Sequence, residues 1–221
     1  MTEPVSASLR RNVSAFERLR ELPAVFRGSD LTVRLQWDSK KTSHYLWLWK
    51  NRNLVQALGG HSDVFANMVV EMKPNWESAL VLARPSAVIV GIECLRRAGW
   101  TTQIPRAPDV AISTVLPVFA SEHFVVSQRL PGWFIEVASG ASEGSKHLAR
   151  ALRPAWALAD MLAREGWSGC GLGPDDIDWN LVEESDCQDW AAAEEALDIP
   201  AGAAAEVQLR VRGTCSSHQR M

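Results

Sequence analysis

Lys40, Lys41, Ser43 and His44 stand almost side by side, Trp47 and Lys50 follow at three-residue steps, and Arg52 comes shortly after. Ammonium and guanidinium groups bind phosphate oxygens, whereas hydroxyl and imidazole groups can hydrogen-bond to base edges. The combination on one short segment is therefore chemistry suited to a nucleic-acid duplex. Ser39 reads as an N-cap, because its hydroxyl can accept a bond from a first-turn N–H, so a helix is expected to begin there. Thr42, Tyr45 or Leu46, and Trp49 then recur at helical spacing as one apolar stripe. That leaves Lys40, Lys41, Ser43, His44, Trp47 and Lys50 pointing elsewhere. Trp49 is expected in the core, and Trp47 against a partner helix or the sugar–phosphate backbone.

The neighbouring segments must position this helix. After Arg52-Asn53, residues 54–58 are a short apolar run, Gly59-Gly60 can turn the chain at positive φ, and Val64-Phe65 returns, the sign of a hairpin carrying His61. Upstream, Leu9, Val13, Phe16 and Leu19 repeat at helical spacing, so residues 6 to about 21 form an amphipathic helix closed by Pro23. Ser29 is expected to cap a short helix over residues 30–35, with Leu31 and Leu35 facing inward, and Gln36, Trp37 and Asp38 make the turn. Helix, short helix, three-residue turn, longer helix and hairpin is the order of a winged helix-turn-helix. The expected DNA-binding set is Ser39, Lys40, Lys41, Ser43, His44, Trp47, Lys50, Arg52 and His61.

Charge divides the chain. Residues 1–73 hold 11 Lys/Arg against 7 Asp/Glu, whereas residues 74–221 hold 12 against 19. A basic module with this element order suits a DNA backbone, since each neutralised phosphate releases a counterion, and the acidic remainder would be repelled. Residues 68–72 are strand-like, and the domain boundary is placed after Lys73. Beyond it, residues 77–83 and 87–100 read as helices, the second ending at Gly99, which favours the C′ position because it lacks a Cβ. Residues 110–113, 116–119 and 133–137 read as short strands of a small sheet, and residues 154–163 as a helix with Pro154 in its first turn and Gly166 as its stop.

Other motifs carry less. The segment from Ser139 to Lys146 has the wrong spacing for a phosphate loop, and Gly169 to Pro174 lacks the preceding strand of a dinucleotide fingerprint; both read as loops. Four widely spaced cysteines, Cys94, Cys170, Cys187 and Cys215, suggest free thiols rather than zinc or a disulfide framework. Asp175, Asp176 and Asp178, followed by Glu183, Glu184, Asp186 and Asp189, could hold Mg²⁺, yet no Lys or Arg occurs between Glu165 and Leu209 to complete a phosphoryl-transfer site. The expected catalytic, metal and cofactor sets are therefore empty. No apolar run is long enough to span a bilayer and the N-terminus lacks a leader pattern, so a cytoplasmic protein without a membrane partner is expected.

The N-terminal pattern, followed by residues 87–100 with Thr101-Thr102-Gln103-Ile104-Pro105, then short strands and Arg153-Pro154-Ala155-Trp156-Ala157-Leu158-Ala159-Asp160-Met161-Leu162, resembles the AbiEi-type antitoxins, transcriptional regulators of type IV toxin–antitoxin systems. The resemblance covers most of the chain. It implies an N-terminal domain that binds repeats in its own promoter, a C-terminal α/β domain involved in antitoxicity, and a nucleotidyltransferase-like toxin encoded alongside.

The expected fold is α/β (α+β), with a winged helix-turn-helix over residues 1–73 and a small mixed α/β domain over residues 74–221. The expected function is that of a non-enzymatic DNA-binding transcriptional regulator, the antitoxin of a type IV toxin–antitoxin system that represses its own promoter. Its expected partners are double-stranded DNA, a cognate toxin protein and a second copy of itself. The alternative is a metal-dependent enzyme acting on nucleic acid or nucleotide, with the winged helix as targeting module and Asp175, Asp176 and Asp178 as ligands.

Overall fold

Apolar residues from several short elements of the basic segment gather into one core: Leu19, Leu22, Phe26, Leu31, Trp37, Trp49 and Val55 are all buried together. A computed structural model describes residues 15–218 of the chain. Most of the expected first helix lies outside the described residues, and α1 is Ala15–Arg20. Strand β1 (Val25–Arg27) follows, then α2 (Gly28–Leu35), α3 (Ser39–Asn51), β2 (Val55–Ala57) and β3 (Val64–Asn67). The strands make an antiparallel sheet in the order β1-β3-β2, with Phe26 opposite Phe65 and Gln56 opposite Ala66. Strand β1 is too short to show an alternating pattern in the sequence, and it lies between the first two expected helices, where no element was expected.

Two caps differ from expectation. The Asp30 carboxylate accepts the Arg27 N–H at 2.9 Å, so α2 starts at Gly28; Ser29 lies inside the first turn, its own N–H donating to Asp63. The Asp38 carboxylate accepts the Lys41 N–H at 2.7 Å, which makes Asp38, not Ser39, the N-cap of α3. A carboxylate serves there as well as a hydroxyl and also meets the positive end of the helix dipole. In the hairpin turn the left-handed residues are His61 and Asp63, with φ of 63° and 52°, rather than the glycines. Gly59 is required for another reason: a Cβ there would overlap the Ala120 carbonyl. Residues 68–70, strand-like in sequence, form a turn, and the fully buried Asn67 explains it. Its side-chain N–H donates to the Leu19 carbonyl at 2.6 Å while its oxygen accepts from Val69 at 3.2 Å.

Contacts divide the chain into two units, Met1–Ala57 with Asp63–Pro74, and Leu58–Ser62 with Asn75–Met221. The long segment of the second begins with α4 (Trp76–Ala83), capped by the Asn75 side chain. Strand β4 (Val88–Val90), α5 (Ile92–Arg97), β5 (Asp109–Ser113), β6 (Val125–Arg129), α6 (Pro131–Glu136), β7 (Arg150–Ala151), α7 (Pro154–Gly169), α8 (Glu184–Ala196) and α9 (Ala201–His218) follow. The sheet order is β6-β5-β4-β7, with β4 antiparallel to β5 and the outer pairs parallel.

Residues 87–100 are thus not one helix. Val88, Ile89 and Val90 are all buried as an inner strand, Gly91 turns the chain at φ 74°, and only the remainder is helical. A short run that is apolar throughout carries no periodicity to separate buried strand from buried helix. Residues 116–119 form no strand, and residues 133–136 belong to a helix, capped by Val137, in which Pro131 occupies the first turn, where a missing N–H does no harm. Strands β6 and β7 are additions that the sequence pattern did not mark.

Helix α7 is buried at every position from Ala155 to Leu162, and Gly166, at φ 60°, interrupts it. Asp160 within that run accepts the Trp133 indole N–H at 2.7 Å and faces Arg129 at 3.7 Å. Gly140 permits the contact above it, since a Cβ would overlap the Trp156 ring. Cys94 and Cys170 are buried free thiols, and burial pushes Cys94 up to about 12. Cys187 is disulfide-bonded, which corrects the expectation that every thiol is free. The fold is mixed α/β of the α+β kind, and no described helix is long and apolar enough to cross a membrane.

Glu93, buried on α5, accepts bonds from Arg96 at 2.7 Å and Arg97 at 2.8 Å, and Arg97 also reaches Glu77 at 2.6 Å. The Arg96 guanidinium, opposed by burial and joined by Arg97, holds the Glu93 carboxyl below the usual range. A carboxyl depressed by folding contributes stability above its unfolded value, and this is lost as pH falls through the folded one. Glu93→Gln is expected to lower stability by about 1.5–3 kcal/mol at neutral pH, the range for hydrogen bonds to charged groups. The deficit should shrink well below about pH 4.3, the ordinary glutamate value. Urea denaturation of both proteins at neutral and acid pH measures it; an equal deficit at both would show that the charge plays no part.

Candidate nucleic-acid interface

Helix α3 has two contrasting faces. Thr42 and Trp49 are buried, Tyr45 and Leu46 partly so, whereas Ser39, Lys40, Lys41, Ser43, His44, Trp47 and Lys50 are exposed. The inward face is fixed by aromatic packing: the Trp37 ring lies 4.6 Å from Tyr45 and 5.8 Å from Trp49, centroid to centroid, and Tyr45 lies 5.8 Å from Trp49. Because the three rings come from α3 and the turn before it, they set the rotation of the helix about its axis. What α3 presents outward follows from that rotation.

At 100° per residue, Lys40 and Trp47 lie at the centre of the exposed face, with Ser43 and Lys50 on one side and His44 and Asn51 on the other. Trp47 is 59% exposed. Lys41 falls on the flank and leans inward, its ammonium 5.1 Å from the Trp37 ring centroid, a cation–π distance. His44 touches Tyr45 edge-on at 5.5 Å. Arg52 is exposed just beyond the helix, its backbone N–H closing the last turn onto the Leu48 carbonyl at 3.2 Å. No carboxylate lies within α3, and that of Asp38 is engaged in the cap. The face is therefore cationic, with hydroxyl, imidazole, amide and indole groups between the charges.

His61 stands apart. It is exposed in the turn Leu58–Ser62, which groups with the second unit, where Ser121 Oγ donates to the Leu58 carbonyl at 2.6 Å and Gly60 N–H to the Ala120 carbonyl at 2.9 Å. Asn51 is a residue that sequence reading passed over. Its place four residues after Trp47 and seven after His44 is the signal that would have found it.

In the second unit, Asp175 pairs with Arg210 at 3.0 Å, Asp176 accepts the Gly173 N–H at 2.7 Å, and Asp178 caps a short turn through the Asn180 N–H at 3.2 Å. Among the described residues no three His, Cys, Asp or Glu side chains gather in a group that could hold a metal ion. Arg210 and Arg153, which pairs with Asp189, bring positive charge from outside the stretch that lacks it.

No protein-family model matches the chain, and no curated protein matches it. Among solved structures, the crystal structure of the RV2827C protein from Mycobacterium tuberculosis is similar, with a TM-score of 0.56 at 15% identity, over 90% of this chain and 75% of that one. At this identity the likeness is one of fold.

Removing the carboxylate that caps α3 should loosen the first turn, where Lys40 and Lys41 sit. Asp38→Ala is expected to lower stability by about 1 kcal/mol. Denaturant titration of the two proteins tests it, and an unchanged midpoint would mean that the Lys41 N–H finds an equivalent partner.

Proposed function

We propose that the first unit is a winged helix that binds double-stranded DNA through α3, and that the chain is a non-enzymatic transcriptional regulator. The observation that carries this reading is the exposed cationic face of Lys40, Ser43, His44, Trp47 and Lys50 on a helix whose opposite face is locked by Trp37 and Trp49. Positively charged groups on a helix of this width suit the major groove, where ammonium groups meet phosphates and shorter polar groups meet base edges. The element order, with a helix, a strand, two helices and an antiparallel hairpin, supports it.

The finer role is that of the antitoxin of a type IV toxin–antitoxin system repressing its own promoter. Its support is the resemblance through Thr101 to Pro105 and Arg153 to Leu162, together with the charge division between residues 1–73 and 74–221. In this role the acidic second unit meets the cognate toxin, and a second copy of the chain supplies the other half-site contact.

Titration of duplex binding against salt tests the reading. Lys40→Ala is expected to weaken binding to every duplex and to lower the salt slope by about 0.9, the value for one phosphate contact. Lys41→Ala should do less, because its ammonium must first leave the Trp37 ring, at a cost of about 0.5–1 kcal/mol. An unchanged slope in both variants would remove the α3 N-terminus from any interface.

His44 lies deeper along the face, where side chains meet bases. His44→Ala should cost about 1–3 kcal/mol on a site selected from a random duplex pool and little on unselected DNA. Equal losses on both would reduce His44 to a positioning contact.

A further inference from the structure

Where α3 ends and β2 begins, the first unit has an open groove of about 410 Å³, lined by Lys50, Asn53, Val55, Gln56, Ala57 and Met68. Lys50, Asn53 and Gln56 are exposed at its rim, whereas Val55 is buried and Ala57 and Met68 partly so. The rim is well fixed. Asn53 sits in the left-handed region at φ 54° with its N–H on the Lys50 carbonyl at 3.0 Å, and the Leu54 N–H holds the Trp49 carbonyl at 2.9 Å. Gln56 is held in register opposite Ala66 on an edge strand of the sheet.

The lining offers one ammonium and two carboxamides and contains no carboxylate, so its donors favour an anion. The volume falls within the range of small-molecule sites, about 300–1,000 Å³, and far exceeds what a bare phosphate fills. The fitting ligand is a phosphate that carries something less polar, for which the partly exposed Ala57 and Met68 supply contact. Lys50 belongs both to this groove and to the exposed face of α3. We propose that the groove takes a deoxyribose–phosphate segment of the duplex that α3 contacts, next to the bases under the helix. The Lys50 ammonium and the Asn53 and Gln56 amide N–H groups donate to phosphate oxygens, and the apolar residues lie against the sugar. This rests on the DNA-binding reading of α3 and adds to it a sequence-neutral grip that sets the helix's register.

Full-length Asn53→Gly and Gln56→Ala test it, the first chosen because glycine keeps the positive φ that alanine would strain. Each is expected to weaken binding about 3- to 10-fold, the worth of a lost hydrogen bond, on selected and unselected duplexes alike. The salt slope should stay unchanged, because a neutral donor releases no counterion, whereas Lys50→Ala lowers it by about 0.9. Affinities within about 2-fold of the parent in both amide variants, while Lys40→Ala still weakens binding, would overturn the groove and leave the reading of α3 standing. No effect from Lys40→Ala either would remove that reading itself. A further arm follows the backbone amide resonances of residues 50–57 and 68 during titration with inorganic phosphate and with deoxyadenosine monophosphate. Saturable shifts with the mononucleotide, together with unaltered duplex binding by the amide variants, would assign the groove to free nucleotides and overturn the proposal.

Discussion

The contact between Trp37, Tyr45 and Trp49 is the constraint on which the first unit depends. Large aromatic rings bury much apolar surface and tolerate few arrangements, so three of them together leave α3 little freedom to rotate or slide. A helix with basic residues all round would present a different face with each small rotation. Here the buried side determines the exposed side, and Lys40, Ser43, His44, Trp47 and Lys50 share one surface because Trp49 cannot leave the core. Trp37 acts twice, since its ring also receives the Lys41 ammonium and, at 5.6 Å, the Arg18 guanidinium.

A buried polar residue completes that unit. Asn67 ends β3 with its side chain wholly enclosed, and its amide satisfies backbone groups at the end of α1 and in the turn after the sheet. An apolar residue of the same size would take that partner from the Val69 N–H, at a cost of about 1–3 kcal/mol, while the Leu19 carbonyl would keep the Leu22 N–H at 3.1 Å. The sheet and the first helix are thus joined by hydrogen bonds as well as by the Leu19 and Phe26 side chains.

The second unit solves a different packing problem. Its four-stranded sheet is narrow, and α7 passes the stretch Ala155 to Leu162 through the interior with alanines at alternate positions. Small side chains allow close approach, and Gly140 allows it further against Trp156. The charges inside are paired: Asp160 with Trp133 and Arg129, and Glu93 with Arg96 and Arg97. These pairs explain acidic and basic residues that a reading for catalysis would single out. The surface acids of the later segment mostly serve as caps and ion-pair partners, as Asp175, Asp176, Asp178 and Asp189 show.

The mixed α/β class, the length and amphipathic character of α3, the hairpin after it and the helix from Pro154 were all legible in the sequence, because each carries a local signal: a period, a proline in the first turn or a glycine break. Within α3, burial of Thr42 and Trp49 followed directly from 3.6-residue spacing. The caps were less determinate, since Asp38 and Ser39 are both competent and only the path of the chain chose between them. Tertiary structure alone decided β1, β6 and β7, which exist by virtue of the strands they pair with, and it turned residues 88–90 into a strand because neighbours stood on both sides. It also placed His61 in a turn that packs with the second unit and brought Lys50, Asn53 and Gln56 to one groove. Periodicity describes a residue's relation to its own helix or strand. Strand pairing, left-handed turns and grooves depend on what arrives from elsewhere in the chain, and no local pattern encodes that arrival.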